Sequence, residues 1–386
     1  MKTDPTIAQI VLAANARGET PKFAIKNQVS IGKAVVLPVG GDNGNDAFKG
    51  AVLSSDGSLV TIRIPTAFKD AERIQSGKQE VSYTIGGETF WIGETALVHD
   101  GDSLPIGSTR QRLVDVRVRM FIGACLVELL HQAGFHPGSH NIALGFAIPN
   151  NEIQENDSGK LGVNDQTRSS LEEHLKNTIY EVVRTDQSGV SEAWSIRVAA
   201  VIPQAQTAGT VLVTTKSPNG KTVTDLDGMT VIDIGGGDLQ KTDVLTSPYQ
   251  MASKRLSNGT IQIARALQDK YEKYGLNDVA AQNALINRKL MVSGRFRDIG
   301  NVVDEVVTSH GQSLITSFLP ALRQSKRFVV ITGGGASLLH DMIEDRLKME
   351  QKEAGQDYEL INSGVSSILN AIGALFGVIF LASRKS

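Results

Sequence analysis

A chain of 386 residues exceeds the roughly 250 to 300 at which one hydrophobic core stops growing, so two domains or one deeply cleft, two-lobed body is expected. A net charge of -2 with a pI near 6.4 argues against a protein built mainly to coat nucleic acid directly, which normally needs a basic surface. The single cysteine, Cys125, excludes an internal disulfide framework or cysteine metal site and fits a reducing cytoplasm.

Residues 1–30 read as an N-terminal extension. Ile7, Ile10, Val11 and Leu12 suit one short helix, without the basic-then-apolar order of a secretory signal. From Gly32 to Gly93 about five short strands are predicted, punctuated by Asn43-Gly44, Asp56-Gly57 and Gly86-Gly87. Val118, Phe121, Ile122, Cys125, Leu126, Leu129 and Leu130 recur at helical steps and predict an amphipathic helix ending at Gly134. Asn141 to Ile148 is a buried strand closed by Pro149, and Asn150 to Val163 a loop. A helix starts over Asn164 to His174, with Asp165 or Thr167 as N-cap.

Trp194 to Pro203, Thr210 to Thr215 and Thr230 to Ile234 read as strands. Gly259 to Gly275, Ala280 to Leu290 and Val302 to Leu322 read as helices, Phe328 to Thr332 as a buried strand, and Ser337 to Glu353 as a charged helix. The apolar stretch Ile368 to Ala382 is short of the roughly 20 residues a bilayer span needs and reads as a buried helix rather than a membrane contact. His131, His136 and His140 cluster in sequence, but Gly134, Pro137 and Gly138 break the segment, so they read as surface histidines. Each half runs strands, helices, strand from an Asp-x-Gly turn, which suggests a duplicated α/β fold.

Three glycine turns carry the chemistry. Val39 to Gly50 puts Asp42, a bend at Asn43, Gly44 and Asn45, and Lys49 in the order a nucleotide phosphate tail requires. Asp233 ends a buried strand before Gly235, Gly236, Gly237 and Asp238. Gly333, Gly334, Gly335 and Ala336 lead into a helix, which suits packing against a nucleoside and a helix N-terminus near phosphates; no Gly-Lys-Ser/Thr follows, so this is not a P-loop. Magnesium keeps most of its waters, so Asp42 and Asp233 facing each other across those waters would suffice to hold it.

Asp-Asn-Gly-x-x-x-x-Lys at Asp42, Asp-x-Gly-x-Gly at Asp233 and Thr-Gly-Gly-Gly-Ala-x-Leu-Leu at Thr332 resemble the phosphate-1, phosphate-2 and adenosine motifs of the actin, Hsp70 and sugar-kinase superfamily. Within it the chain is most similar to bacterial actin-like proteins of the ParM type. Trp91 to Ala96, Gly145 to Pro149 and Ile368 to Gly373 look like further stations of that pattern.

The resemblance implies a duplicated ribonuclease H-like fold: a first lobe over 31–160 with 361–386 packing back on it, a second over 161–360, and a nucleotide cleft between. It implies ATP or GTP and Mg2+ as ligands. Asp42, Asn43, Gly44, Asn45 and Lys49 would hold the phosphates, opposite Gly235, Gly236, Gly237 and Asp238, with Gly333, Gly334, Gly335 and Ala336 at the nucleoside and Asp42 and Asp233 at the metal through water. The water-activating residue would start the helix after the Pro149 loop, where Gln166 is preferred to Glu172 and Glu173; Gln240, seven residues after Asp233, could orient a water by its amide.

The function so implied is a cytoplasmic ATPase that polymerises into filaments and segregates plasmid DNA through a separate DNA-binding adaptor. A small-molecule kinase of the same fold, using a dedicated Asp as base, and a nucleotide-dependent scaffold or chaperone-like switch are the rival readings.

Overall fold

The computed structural model describes residues 4–71, 80–155, 161–223, 228–246, 249–292, 295–324, 328–354, 357–360 and 363–384. The chain opens with α1 (Ile7–Ala16), whose capping box pairs Thr6 with Gln9. Next come β1 (Val29–Ile31), β2 (Ala34–Asn43), β3 (Ala47–Leu53), β4 (Leu59–Pro65), β5 (Ala67–Asp70), β6 (Ser82–Ile85) and β7 (Glu88–Ile92). After them run α2 (Gly93–Val98), β8 (Asp102–Ser103), α3 (Thr109–Val114), α4 (Val116–Gln132) and β9 (Gly138–Ile148).

A small hairpin of β10 (Ile153–Glu155) and β11 (Leu161–Val163) precedes α5 (Asp165–His174), β12 (Ile179–Thr185), β13 (Ser191–Ala205) and α6 (Gln206–Thr215). The second half holds β14 (Met229–Ile234), β15 (Leu239–Thr246), β16 (Tyr249–Ser257), α7 (Ile261–Lys270), α8 (Asp278–Asn287), β17 (Lys289–Val292) and β18 (Arg295–Asp298). It closes with α9 (Gly300–Arg323), β19 (Phe328–Thr332), α10 (Gly334–Leu338), α11 (His340–Ala354), β20 (Asp357–Leu360), α12 (Ser363–Ser366) and α13 (Leu369–Ser383).

Among the described residues, eleven strands form one sheet in the order β4-β3-β2-β9-β13-β12-β6-β7-β5-β8, with β1 added to β2. Five form a second, β16-β15-β14-β19-β20. Strand alternation decides what each face meets. In β14, Met229 and Val231 enter the core shared with α6 and α13, while Ile232 and Ile234 enter the core under α7 to α11. In β9, Ile142, Leu144, Phe146 and Ile148 meet the core built on α4, and Ala143 packs with Val378 of α13. The helix pair α6 and α13 therefore lies between the two sheets, and the outer helices cover their far faces. A Cβ on Gly373 would lie 2.2 Å from Gly209 Cα, so the pair crosses backbone to backbone.

Several expectations need correction. Residues 206–215 are helix, not strand: Val211 and Val213 are buried between the sheets, and the Thr214 and Thr215 hydroxyls donate back to carbonyls one turn earlier. A boundary at 160/161 does not follow the hydrogen bonding, because β12 and β13 complete the first sheet beside β9. The N-terminal extension expected over 1–30 is built into the fold, with Ile7, Ala8, Val11 and Phe23 buried in the central core beside α13. The N-cap of α5 is Asn164, whose side chain accepts from Thr167 N–H. The expected loop over Asn150 to Val163 contains the β10–β11 hairpin, and residues 156–160 lie outside the described ones.

Candidate functional site between the two lobes

The β2 to β3 and β14 to β15 connections both open on one crevice of about 80 Å³, lined by Asp42, Gly44, Asn45, Asp46, Lys49, Gln206, Asp233, Gly235 to Gly237, Asp238, Gln240, Gly333, Gly334, Ser367 and Asn370. It adjoins a cavity of about 680 Å³, the size of a small-molecule site, which shares Gly44, Asn45, Gln206, Gly237, Asp238 and Gln240. A small pocket of about 20 Å³ beside Gly334 and Gly335 adds Thr260, Gln282 and Leu338 on the second lobe.

The local sequence explains the first turn. Asp42 and Lys49 are cross-strand partners in the β2–β3 ladder. A Cβ on Gly44 would stand 2.7 Å from Lys49 Nζ and 2.9 Å from Asp46 Oδ1, so a side chain there would press on that ion pair. Arg112 of α3, itself buried, donates to the carbonyls of Asn43 and Gly44 and fixes the turn from behind. The Thr66 hydroxyl also donates to Gly44 O at 3.1 Å. Gly333 does need its conformation: φ is +96°, and a Cβ would lie 2.4 Å from Asp233 Oδ1.

Each aspartate meets one side-chain amide from the central helices. Gln206 Nε2 donates to Asp42 Oδ1 at 3.5 Å from the first residue of α6, and Asn370 Nδ2 donates to Asp233 Oδ2 at 3.5 Å from the second residue of α13. Neither N-cap residue, Ala205 nor Ile368, makes a side-chain cap bond; at α6 the Thr207 N–H donates instead to Asn150 Oδ1 at 3.3 Å. Burial pushes the Asp233 carboxyl up to about 7, with Asp238 and Asp42 adding to the shift. Burial also raises Asp42, against the opposing pull of Lys49. Two buried carboxylates with only long amide contacts make a donor set suited to a hydrated divalent cation. Among the described residues no group of three or more His, Cys, Asp or Glu could hold a metal ion.

Of the residues singled out in the sequence, Asp42, Gly44, Asn45, Lys49, Asp233, Gly235, Gly236, Gly237, Asp238, Gln240, Gly333 and Gly334 are brought together around this crevice. Asn43 is not among its lining; its backbone carbonyl serves Arg112. Gly335 lines the small pocket, and Ala336 is buried in the second-lobe core. Gln166, Glu172 and Glu173 are solvent-exposed on α5 and line none of these cavities. The reason is topological: two strands of the first sheet intervene before the helix that reaches the crevice, which is α6 with Gln206.

Sequence reasoning also missed Asp46, Arg63, Asn150 and Asn370. Asn150, two residues beyond β9, donates to Gln240 Oε1 at 2.9 Å and accepts from the Thr207 hydroxyl at 3.0 Å, so it ties the first sheet to the second beside the crevice. Its position directly after the predicted strand and Pro149 was the available signal.

No protein-family model matches the chain, and no curated protein matches it in sequence. Solved structures do match along nearly the whole length. An archaeal actin homolog, Ta0583, solved with ADP, is 18% identical at a TM-score of 0.61 over 90% of this chain and 99% of its own. ParM of Bacillus thuringiensis with ATP is 12% identical at 0.59, over 91% and 100%. A pCBH ParM determined as a non-polymerisable quadruple mutant is 15% identical at 0.56, over 89% and 99%. The chain thus has the actin-like, two-lobed α/β fold, and ParM-type structures are among its neighbours. No helix among the described residues is long and apolar enough to cross a membrane.

Proposed function

We propose that the chain binds a magnesium nucleoside triphosphate, ATP or GTP, between Asp42 and Asp233, hydrolyses it, and assembles head to tail into filaments in the cytoplasm. The observation that carries this reading is the convergence of both aspartates, each from its own lobe, on one crevice. Support also comes from neighbours of the same fold solved with ADP and ATP.

In this reading the backbone N–H groups of Asn45, Gly236 and Gly237 and the Lys49 ammonium hold the phosphate oxygens, while the Gly44 and Gly235 N–H groups close their own turns onto Ala47 O and Asp238 O. Asp42 and Asp233 would hold the magnesium through water, and the ion, when bound, neutralises phosphate charge. Gln206 orients the attacking water by its amide, and Gln240, held by Asn150, borders the same space. The small pocket beside Gly334, Gly335 and Gln282 lies on the nucleoside side.

Filament assembly is supported by the pCBH ParM neighbour, which was solved as a non-polymerisable quadruple mutant. Heterologous contacts that do not close on themselves give open filaments. Plasmid DNA as cargo would be engaged through a basic adaptor, in keeping with the net charge of -2. A kinase would need a carboxylate able to take a hydroxyl proton. In the 680 Å³ cavity Glu152 already accepts from Thr109 N–H and the Thr167 hydroxyl, and Asp238 accepts from Gln240, which favours the hydrolase. Calorimetric titration with magnesium ATP and magnesium ADP, followed by sedimentation with each, tests the reading: binding without any sedimenting polymer removes the filament, and no binding removes both.

A further inference from the structure

The first turn contains a charge that phosphate binding does not call for. Asp46 sits between Asp42 and Lys49 in sequence and lines both the crevice and the small pocket. Its two oxygens are divided between two cations: Oδ1 lies 2.9 Å from Lys49 Nζ, and Oδ2 lies 3.2 Å from Arg63 Nη2 on β4. All three side chains are largely buried, at 12%, 10% and 19% exposure for Asp46, Lys49 and Arg63. The carboxylate therefore occupies the position relative to Lys49 that a phosphate oxygen would take. Arg63 continues across the cleft, with Nη1 at 3.5 Å from Asn283 Oδ1 on α8.

We infer that Asp46 is an internal competitor for the anion site: its carboxylate substitutes for phosphate at Lys49 and Arg63, and so sets how tightly the crevice holds a phosphate-bearing ligand. The inference rests on the nucleotide reading of the same crevice. A buried cation pair deprived of its carboxylate is strongly destabilised until another anion replaces it. Phosphate binding must displace Asp46 from Lys49, and that exchange weakens affinity and leaves Asp46 free to return when phosphate departs.

The test is calorimetric titration of inorganic pyrophosphate and of magnesium ADP into the full-length wild type, Asp46→Asn, Lys49→Met and the double variant, with thermal unfolding of each. Asp46→Asn is expected to bind pyrophosphate at least tenfold more tightly and to melt several degrees lower without it, with pyrophosphate restoring the loss. In the Lys49→Met background the tenfold gain should vanish. An equal gain in that background means that Asp46 acts by distant charge alone and overturns the proposal, as does unchanged or weaker binding by Asp46→Asn.

Should Asp46→Asn fail to fold, Asp46→Ser, which also removes the carboxylate, takes its place: pyrophosphate should again bind at least tenfold more tightly than to the wild type, and unchanged affinity refutes the proposal. Wild-type binding of magnesium ADP with no gain in Asp46→Asn refutes the role of Asp46 and keeps the nucleotide reading. A wild type that binds neither ligand while Asp46→Asn gains pyrophosphate refutes the nucleotide reading and keeps the competitor. No binding by any form refutes both.

Discussion

Gln206 reaches Asp42 Oδ1 at 3.5 Å from a helix that begins only after the long strand β13 has finished the first sheet. On the proposed reading this contact makes Gln206, rather than Gln166, the amide that would hold a water beside the phosphates. Gln206→Ala is expected to lower single-turnover hydrolysis by roughly 100-fold, the usual scale for a positioned polar group. Nucleotide affinity should change less than about threefold, because the contact matters to the water rather than to the phosphates. Gln166→Ala, exposed on α5, should hydrolyse at the wild-type rate in the same phosphate-release assay.

Asp233 gives the nucleotide-free protein a defined pH dependence. Its carboxyl is raised to about 7 by burial, Asp238 and Asp42, whereas in the unfolded chain it titrates near the ordinary value of about 4. Between those values the native state holds a proton that the unfolded state has released, so stability falls as pH rises from about 4 to 7 and the contribution is flat above. The loss is on the order of 4 kcal/mol at most. Urea titrations at pH 4.5 and 7.5 should show a steeper loss in wild type than in Asp233→Asn; equal slopes contradict the assignment.

The α6 to α13 crossing should be intolerant of a single methyl. Gly373→Ala places a Cβ 2.2 Å from Gly209 Cα, a backbone atom that cannot turn aside, and is expected to cost about 3 kcal/mol or more. Gly377→Ala, four residues on, meets only the flexible amide end of Gln204 and should be neutral or gain up to about 1 kcal/mol of helix propensity. Denaturant midpoints of the two variants measure the contrast.

Asn150 joins the lobes at the floor of the site. Asn150→Ala removes the acceptor of the Thr207 hydroxyl and the donor to Gln240, both buried or half-buried, at a cost of about 1–3 kcal/mol. Hydrolysis should fall with it, since Gln240 loses the group that orients it.

The rim across the site is closed by Val279 of α8, which packs among Ala67, Trp91 and Ala96 of the first lobe, and by Asn287 donating to Glu94 at 2.8 Å. Val279→Asp puts a charge into that apolar contact and should accelerate nucleotide release about tenfold or more in a stopped-flow displacement assay. An unchanged release rate would mean that the rim does not govern exchange.

How much of this was legible in the sequence depended on the range of the interactions involved. The turns at Asp42 and Asp233 stood out because a buried β-strand, an aspartate and glycines are adjacent in the chain, and their repetition suggested two facing lobes. The strand β14 was equally plain, being apolar on both faces because it has a core on each side. By contrast α6 reads locally as a strand, since Thr210 to Thr215 is rich in β-branched residues; only burial between two sheets makes it a helix, a case of tertiary context overriding propensity. That one misreading concealed Gln206 at the start of α6. Asp46 stood inside the most informative motif, but its partner Arg63 lies on the next hairpin, and no local pattern announces that pairing.

The central claim is that Asp42 and Asp233 act on one metal-bound nucleotide, and a double-mutant cycle on magnesium ATP binding measures it most directly. Asp42→Asn, Asp233→Asn and the double variant, titrated by calorimetry with and without magnesium, should show a coupling of about 1.5 kcal/mol or more that disappears when the metal is withheld. Strictly additive losses, or a coupling of the same size without magnesium, would contradict the account.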